Sequence, residues 1–194
     1  MEREAIFERI EQLHGEMQAK RQEINNLRRQ MPPEPVLNYI LLKQTGEPVA
    51  LESLFDHRNE LLVIHNMGKK CVYCTLWADV INGMRIPLAN RAPFVVVSPD
   101  EPQVQREFAE SRGWQFTMLS AAKSPFTKDL GFATENEKGI YYLPGVSAFT
   151  KQDGQIYRTS YDFFGPGDDY CSVWQFFELL PNGVNKWQPK YNYL

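Results

Sequence analysis

Two cysteines in this sequence have a spacing that supports thiol redox chemistry. They stand in Cys71-Val72-Tyr73-Cys74, and the apolar run Leu61-Leu62-Val63-Ile64-His65 upstream is typical of a strand buried on both faces. A helix is predicted to begin at Cys71 or Val72, where unpaired backbone N–H groups and the helix dipole favour negative charge. We therefore expect Cys71 to be a thiolate nucleophile and Cys74, one turn later, to resolve its mixed disulfide.

The elements around this motif alternate between strands and helices. The pattern predicts the strands Val36–Leu42, Phe94–Ser98 and Phe116–Ser120, helices over 71–88, Pro102–Arg112 and Asp168–Leu180, and a hairpin of Val146–Thr150 with Ile156–Tyr161 around Asp153-Gly154. The helix after the motif is expected to end near Pro87. A strand followed by CxxC and a helix indicates an α/β domain with a thioredoxin-like mixed sheet flanked by helices.

A long helix is predicted before this domain. Residues 1–30 contain no proline, and six acidic residues balance six basic ones between Glu2 and Arg29. Steps of four and three residues form a heptad seam, with Lys20 in one slot and apolar residues at Ile6, Ile10, Leu13, Met17, Ile24 and Leu27. The seam needs a partner surface, which is either the chain's own domain or the helix of another subunit. Met31-Pro32-Pro33 ends the helix.

The chain is accordingly divided into an N-terminal helix at 1–31, a thioredoxin-like domain at 36–181 and an aromatic tail at 182–194. The tail contains Trp187, Tyr191 and Tyr193 among its last eight residues. A disordered tail seldom contains so many aromatic residues. We expect it to dock on its own domain or on a neighbouring subunit.

Four residues are candidates for supporting or substrate-binding roles. Lys70, with Lys69 before it, adds positive potential beside Cys71. Trp77, one turn after Cys74, either shields the sulfurs or packs in the core. Thioredoxin-fold enzymes place a cis-proline opposite the cysteines. Here Pro144 is either that cis-proline in a shifted loop or an ordinary loop proline. Alternatively, Gly145 and Val146 take the place of the cis-proline.

Other roles for the cysteine pair and its neighbours stay open. The pair could form half of a zinc site, for which Cys171, His14, His57 and His65 are the remaining Cys and His ligands. It could also keep the geometry of the fold with little catalytic use. Of the nearby groups, His65 is expected to be a hydrogen-bonded structural residue and Cys171 a small buried one. Asp79 could be a proton acceptor or an ion-pair partner, but a solvated or capping role is expected.

Composition excludes several classes of partner. The chain has 194 residues, 43% of them hydrophobic and 23% charged, with a net charge of -3. Such a chain has no overall attraction to phosphate backbones or anionic lipid, so neither nucleic acid nor a membrane is an expected partner. The charged start lacks the pattern of a secretory signal, and three cysteines do not suit a disulfide scaffold, so a cytosolic location is expected.

These features together resemble the thioredoxin-like family catalogued as domain of unknown function 899, whose members are often described as predicted dithiol-disulfide isomerases. It belongs with the alkyl hydroperoxide reductase and thiol-specific antioxidant superfamily. The matching segments are Leu27-Arg28-Arg29-Gln30-Met31-Pro32, Leu51-Glu52-Ser53-Leu54-Phe55, Cys71-Val72-Tyr73-Cys74, Trp77-Ala78-Asp79, Phe94–Ser98, Gly113-Trp114 and Gly145-Val146-Ser147-Ala148-Phe149. Leu180-Pro181-Asn182-Gly183 matches the family's last turn less closely, because the arginine of that turn is missing.

The resemblance implies a thioredoxin fold and thiol-disulfide chemistry without naming a substrate. Peroxiredoxins share this layout but use Pro-x3-Thr/Ser-x2-Cys, whereas Ile64 and Gly68 precede Cys71 at those positions and Met67 and Cys71 precede Cys74. We therefore expect a thiol-disulfide oxidoreductase that acts on thiols or disulfides of proteins or small molecules, with no bound cofactor and as a homo-oligomer. The alternative is a non-enzymatic binding or scaffold protein that dimerises through its N-terminal helix.

Overall fold

A computed structural model describes residues 2–137 and 139–193. Met1 and Leu194, the ends of the predicted segments 1–31 and 182–194, lie outside the described residues, as does Lys138. The helices are α1 (Arg3–Gln30), α2 (Val72–Arg91), α3 (Pro102–Arg112), α4 (Phe126–Asp129) and α5 (Val173–Glu178). The strands are β1 (Glu34–Val36), β2 (Ile40–Lys43), β3 (Pro48–Ala50), β4 (Glu60–His65), β5 (Phe94–Ser98), β6 (Met118–Ser120), β7 (Ala133–Asn136), β8 (Gly139–Tyr142), β9 (Gly145–Gln152) and β10 (Gln155–Phe163).

The described strands form an eight-stranded mixed sheet and a separate hairpin. The sheet has the order β1-β10-β9-β4-β5-β6-β2-β3, and β7 pairs with β8. The central strands β4, β5 and β6 are parallel, whereas β9 and β10 join the sheet antiparallel. This confirms the predicted α/β class with a mixed sheet. The parallel strands have antiparallel neighbours on both sides, because β2 pairs antiparallel with β6 and β3, and β9 pairs antiparallel with β4.

Each face of the sheet has its own apolar core, which explains the continuous apolar runs of the central strands. All five residues of β5 are buried. One core contains Leu61, Val63, Phe126, Phe132 and Phe149. The other contains Ile64, Val96, Trp77, Ile81 and Trp174, and therefore holds α2 and α5 against the opposite face.

The hairpin β9–β10 forms where Asp153-Gly154 predicts it. Asp153 has φ 51° and Gly154 has φ 76°. Two successive positive φ values are what a type I′ turn requires, and an Asp-Gly pair tolerates them best. The hairpin then pairs β9 with β4, which brings Gly145 opposite His65 beside the end of the strand that leads to the cysteines.

Several predicted element bounds are wrong. The run Val36–Leu42 is divided between β1, which pairs with β10, and β2, which pairs with β6. Helix α2 continues past Pro87 to Arg91. The last helix is limited to Val173–Glu178, because the Asp168 carboxylate accepts hydrogen bonds from the backbone N–H groups of Tyr170 and Cys171 and so forms a turn before it.

Helix α1 forms as predicted, but its apolar seam does not pack on its own domain. None of its described residues is buried, and its ion pairs to the rest of the chain are Arg21 with Asp169 and Arg28 with Asp162. Its contacts include strand β10. The seam side chains therefore remain in solvent in the single chain.

The aromatic tail packs on its own domain. The Trp187 ring lies 6.0 Å from the Trp174 ring and 4.8 Å from that of Phe177. Tyr191 packs edge-on against Phe108, and its backbone oxygen accepts a 2.7 Å hydrogen bond from Arg112. The tail is thereby attached to both α3 and α5.

Candidate functional site

The two cysteines lie at the start of α2, directly after the loop that leaves β4. Cys71 is the residue before the first helical residue, with φ -95° and ψ 103°. Its Sγ accepts a 3.1 Å hydrogen bond from the backbone N–H of Cys74, so the sulfur occupies the N-cap position of the helix. Both cysteines are free thiols, and Cys71 is half-buried whereas Cys74 is buried.

The first sulfur is in an environment that favours the thiolate. The pKa of Cys71 is lowered from 9.0 to about 7, chiefly by a hydrogen bond from the Cys74 thiol and also by the backbone N–H groups of Cys74 and Tyr73, whereas burial acts in the opposite direction. Hydrogen bonds to a charged form stabilise that form. Near neutral pH, Cys71 is therefore present as a thiolate in a large fraction of molecules.

The second sulfur has the opposite character. The hydrogen bond that it donates to Cys71, together with burial, raises the pKa of Cys74. Its side chain is only 2% exposed, and its Sγ lies 3.5 Å from the backbone nitrogen of Met67, which donates to it. An ionised nucleophile and a protonated, protected neighbour are the two forms that sequential disulfide exchange requires.

The loop before Cys71 is held by two residues that the sequence analysis did not identify. The Asn66 side chain accepts a 2.8 Å hydrogen bond from the backbone N–H of Gly68 and donates a 3.4 Å bond to the carbonyl of Cys74. Asp100 accepts a 2.7 Å bond from the backbone N–H of Lys69. Asn66 directly follows β4 and Asp100 lies just beyond β5, and the carboxyl ends of adjacent parallel strands meet at one sheet edge. This property of parallel strands could have identified Asn66 and Asp100 from the sequence.

Close packing also constrains this loop. Gly68 has φ +95°, and a Cβ there would lie 2.8 Å from the carboxylate oxygens of Asp100. A side chain at this position would therefore be strained and would displace Asp100.

The four predicted supporting residues lie in different surroundings. Lys70 is exposed, so solvent screens its charge. Trp77 is 3% exposed, packs between Phe164 and Trp174, and donates a 3.3 Å hydrogen bond to Asp168. It is a core residue of the α2 face, one of the two roles considered for it.

Pro144 and Val146 lie on the strand side of the site. The peptide bond before Pro144 is trans, so of the alternatives considered for this residue the shifted cis-proline is excluded. Pro144 nevertheless lines the same small cavity as Cys74 and Asn66. Val146 is half-buried in β9, opposite Ile64 of β4, where it packs against the α2-face core.

His65 faces away from the cysteines. Its ring is stacked 3.7 Å from the ring of Phe132, on the sheet face opposite α2, and its Nε2 lies 2.9 Å from Ser147 Oγ. Burial lowers the pKa of His65 to about 3, so the ring is neutral. It is the hydrogen-bonded structural histidine that the sequence predicts.

Cys171 and Asp79 also have structural surroundings. Cys171 has no exposed surface, and burial raises its pKa, as expected of a small core residue. Asp79 accepts hydrogen bonds from Arg112 and, at 2.7 Å, from Trp114 Nε1. It is an ion-pair partner that connects α2 with α3, rather than a solvated or capping group.

The described residues contain neither a clustered set of metal ligands nor a helix suited to crossing a membrane. Within residues 2–137 and 139–193, no group of three or more His, Cys, Asp and Glu side chains is arranged to bind a metal ion. Over the same residues, none of the helices combines the length and apolar character needed to cross a bilayer.

The model of the family described as bacterial protein of unknown function (DUF899) matches residues 5–194. The chain belongs to this family. The matched range includes α1 from its third residue onward, the cysteine motif and the tail. Curated proteins contain no match to the sequence.

Solved structures with a similar fold are peroxiredoxin-like. Peroxidoxin BcpB from Mycobacterium tuberculosis is 20% identical, with a TM-score of 0.57 over 72% of this chain and 88% of its own. A peroxiredoxin-like protein from Aquifex aeolicus is 18% identical, with a TM-score of 0.54 over 68% and 74%. Reduced Prx3 from Vibrio vulnificus, in complex with H2O2, is 16% identical, with a TM-score of 0.55 over 71% and 90%. At these identities the similarity establishes the fold.

Proposed function

We propose that this protein is a thiol-disulfide oxidoreductase in which Cys71 is the nucleophile and Cys74 the resolving thiol. The observation that supports it most is the contrast between the two sulfurs. Cys71 is half-buried with a pKa lowered to about 7, whereas Cys74 is buried and its pKa is raised. The thiolate is the reactive form, so attack begins at Cys71.

The reaction transfers two electrons to the substrate. The Cys71 thiolate attacks one sulfur of a substrate disulfide, forms a mixed disulfide and releases the other substrate sulfur as a thiolate, which takes a proton from solvent. The Cys74 thiol then loses its proton and attacks the Cys71 sulfur, which releases the second substrate thiolate. The substrate ends as two thiols and the chain as a Cys71–Cys74 disulfide, which a dithiol reductant from another thiol system returns to the starting state. A reducing cytosolic compartment suits this cycle.

The surrounding residues are assigned positioning roles in this proposal. Asn66 and Asp100 hold the loop that presents Cys71, through hydrogen bonds to Gly68 and Lys69. Trp77 fixes the first turns of α2 in the core. Pro144 forms the side of the site next to Cys74, and Val146 supports the strand behind it. Lys70, exposed next to Cys71, is assigned a contact with substrate at the surface, where solvent screens its charge.

A disulfide is a better substrate for this site than a peroxide. The fold relatives are named as peroxiredoxins, which supports thiol-dependent redox chemistry in general. In this chain, however, Ile64 and Gly68 occupy the positions where the peroxiredoxin signature has proline and a hydroxyl residue. A hydrogen-bond donor that would polarise a peroxide oxygen is therefore replaced by glycine at that position.

The test compares two oxidants on the reduced protein. We expect the aromatic disulfide DTNB to convert Cys71 and Cys74 to an intramolecular disulfide much faster than hydrogen peroxide does, with mass spectrometry of the peptides as the readout. Cys71→Ser should abolish this reaction, and Cys171→Ser is the matched control because that thiol is fully buried. A Cys71→Ser protein that reduces DTNB at the original rate would disprove the assignment.

The second candidate is a binding or scaffold protein whose dithiol has no catalytic cycle. The exposed apolar seam of α1 favours it, since a scaffold needs an unoccupied docking surface. A Cys71–Cys74 pair that never forms a disulfide under oxidising conditions, in a protein that still assembles, would support this candidate over the enzyme.

A further inference from the structure

Helix α1 exposes an apolar surface, interrupted by Lys20, that its own domain does not cover. It has 28 residues, so it is about 42 Å long at 1.5 Å per residue. The exposed fractions of the seam residues are Ile6 44%, Ile10 43%, Leu13 42%, Met17 48%, Ile24 48% and Leu27 58%. Apolar residues that recur along one face of a helix mark a surface for a partner.

The attachment of α1 leaves this seam accessible. The helix is tied to the domain by Arg21 with Asp169 and by Arg28 with Asp162, both in its second half. Arg21 and Arg28 are seven residues apart and so lie on one stripe of the helix, beside the seam rather than on it. The ion pairs fix the flank of the helix, and the first half extends without an ion pair to the domain among the described residues.

The charges along α1 indicate which partner it fits. Residues 2–16 contain five acidic and two basic residues, whereas residues 17–30 contain one acidic and four basic residues. The two halves thus have net charges of -3 and +3. A second copy of the helix running antiparallel places each acidic half against a basic half, and a parallel copy places like charges together.

We propose that two copies of this chain pair through their α1 helices, antiparallel and seam to seam, about a two-fold axis near the middle of the helix. A two-fold interface uses the same patch on both subunits, as a self-complementary helix requires. The exposed seam amounts to roughly 500 Å² per copy, so the pair buries roughly 1,000 Å², which is the lower size of a specific interface. Lys20, at the one polar seam position, can extend its stem along the seam and keep its ammonium in water.

Sedimentation equilibrium of the full-length protein tests the pairing. We expect a mass of about 45 kDa, twice the 22.5 kDa of one chain. Leu13→Glu with Met17→Glu puts two charges into the seam and should raise the dissociation constant by about a hundredfold or more. The matched control is Gln12→Glu with Ala19→Glu, which adds the same charge to exposed positions off the seam and should leave the dimer intact.

Salt dependence tests the orientation. An antiparallel pair joins opposite charges, so its dissociation constant should rise between low and moderate salt, whereas a parallel pair would tighten as repulsion is screened. A monomer at all concentrations, a larger assembly, tightening with salt, or equal effects of the seam and control variants would each overturn the proposal. The rate of DTNB reduction by the seam variant separates assembly from chemistry, because we expect it to be unchanged when the dimer is lost.

Discussion

The hydrogen bond between the two thiols can be removed without disturbing the rest of the helix start. In Cys74→Ala the S–H donor is lost, but the backbone N–H of residue 74 still donates to Cys71 Sγ. Hydrogen bonds to charged groups contribute about 1.5–3 kcal/mol, and S–H is a weak donor, so the lower end applies. About 1.4 kcal/mol corresponds to one pKa unit. We therefore expect the pKa of Cys71 to rise from about 7 to roughly 8.

Alkylation by iodoacetamide as a function of pH measures this shift. The rate at Cys71 follows the thiolate fraction, which at pH 7 falls from about one half to about one tenth when the pKa rises by one unit. Peptide mass spectrometry distinguishes Cys71 from Cys171, which is fully buried and serves as an unreactive reference. Cys74→Ser is the matched control, because its hydroxyl still donates and should keep the titration midpoint low.

The titration midpoint of Cys74→Ala shows whether the Cys74 thiol lowers the pKa of Cys71. A Cys74→Ala midpoint that stays at about 7 would show that the backbone donors alone lower the pKa, and the proposed cooperation between the two sulfurs would be refuted. Equal midpoints that both stay near 7 in the alanine and serine variants would lead to the same conclusion.

Three further predictions concern stability. The pKa of His65 is lowered from 6.5 to about 3, so below pH 6.5 the unfolded chain binds a proton that the folded chain does not. In urea unfolding, the difference in free energy of unfolding between wild type and His65→Gln should therefore shrink by about 2 kcal/mol from pH 7 to pH 5, and a constant difference would contradict this. In Gly145→Ala, the Cβ would lie 2.2 Å from the Asp162 carbonyl oxygen, so we expect the free energy of unfolding to fall by about 3 kcal/mol or more. The control Gly165→Ala, whose Cβ meets nothing within 4 Å, should be nearly neutral, and equal losses in urea unfolding would refute this. Gly83→Ala, at an exposed position inside α2 with open space, should raise stability by about 0.5–1 kcal/mol in a thermal melt, and a lower melting temperature would argue against it.

The parts of the fold that depend on local chemistry could be predicted from the sequence. Pro102 at the first turn and Gly113 past the end define α3, and Asp153-Gly154 defines the hairpin, because each acts on backbone angles within a few residues. The start of α2 follows instead from the CxxC motif after a buried apolar strand.

The parts that depend on tertiary pairing could not be predicted. The apolar run Val36–Leu42 contributes to two strands, one paired with β10 and the other with β6. No local sequence signal indicates where the run divides between them. Asn66 and Asp100 are 34 positions apart in the sequence, and the β4–β5 pairing brings them to the same loop. The thiolate environment of Cys71 was expected from the helix dipole, whereas the largest contribution is the hydrogen bond from Cys74, which depends on side-chain geometry.

The sulfur that caps α2 has a consequence for the redox equilibrium. The hydrogen bonds that Cys71 receives favour a charged sulfur, and that charge is lost when the sulfur joins a disulfide. They therefore stabilise the dithiol form relative to the oxidised form, which makes the reduction potential less negative than that of the same pair without them. In the proposed cycle, this makes the dithiol easier to regenerate and also a weaker reductant of its substrate disulfide.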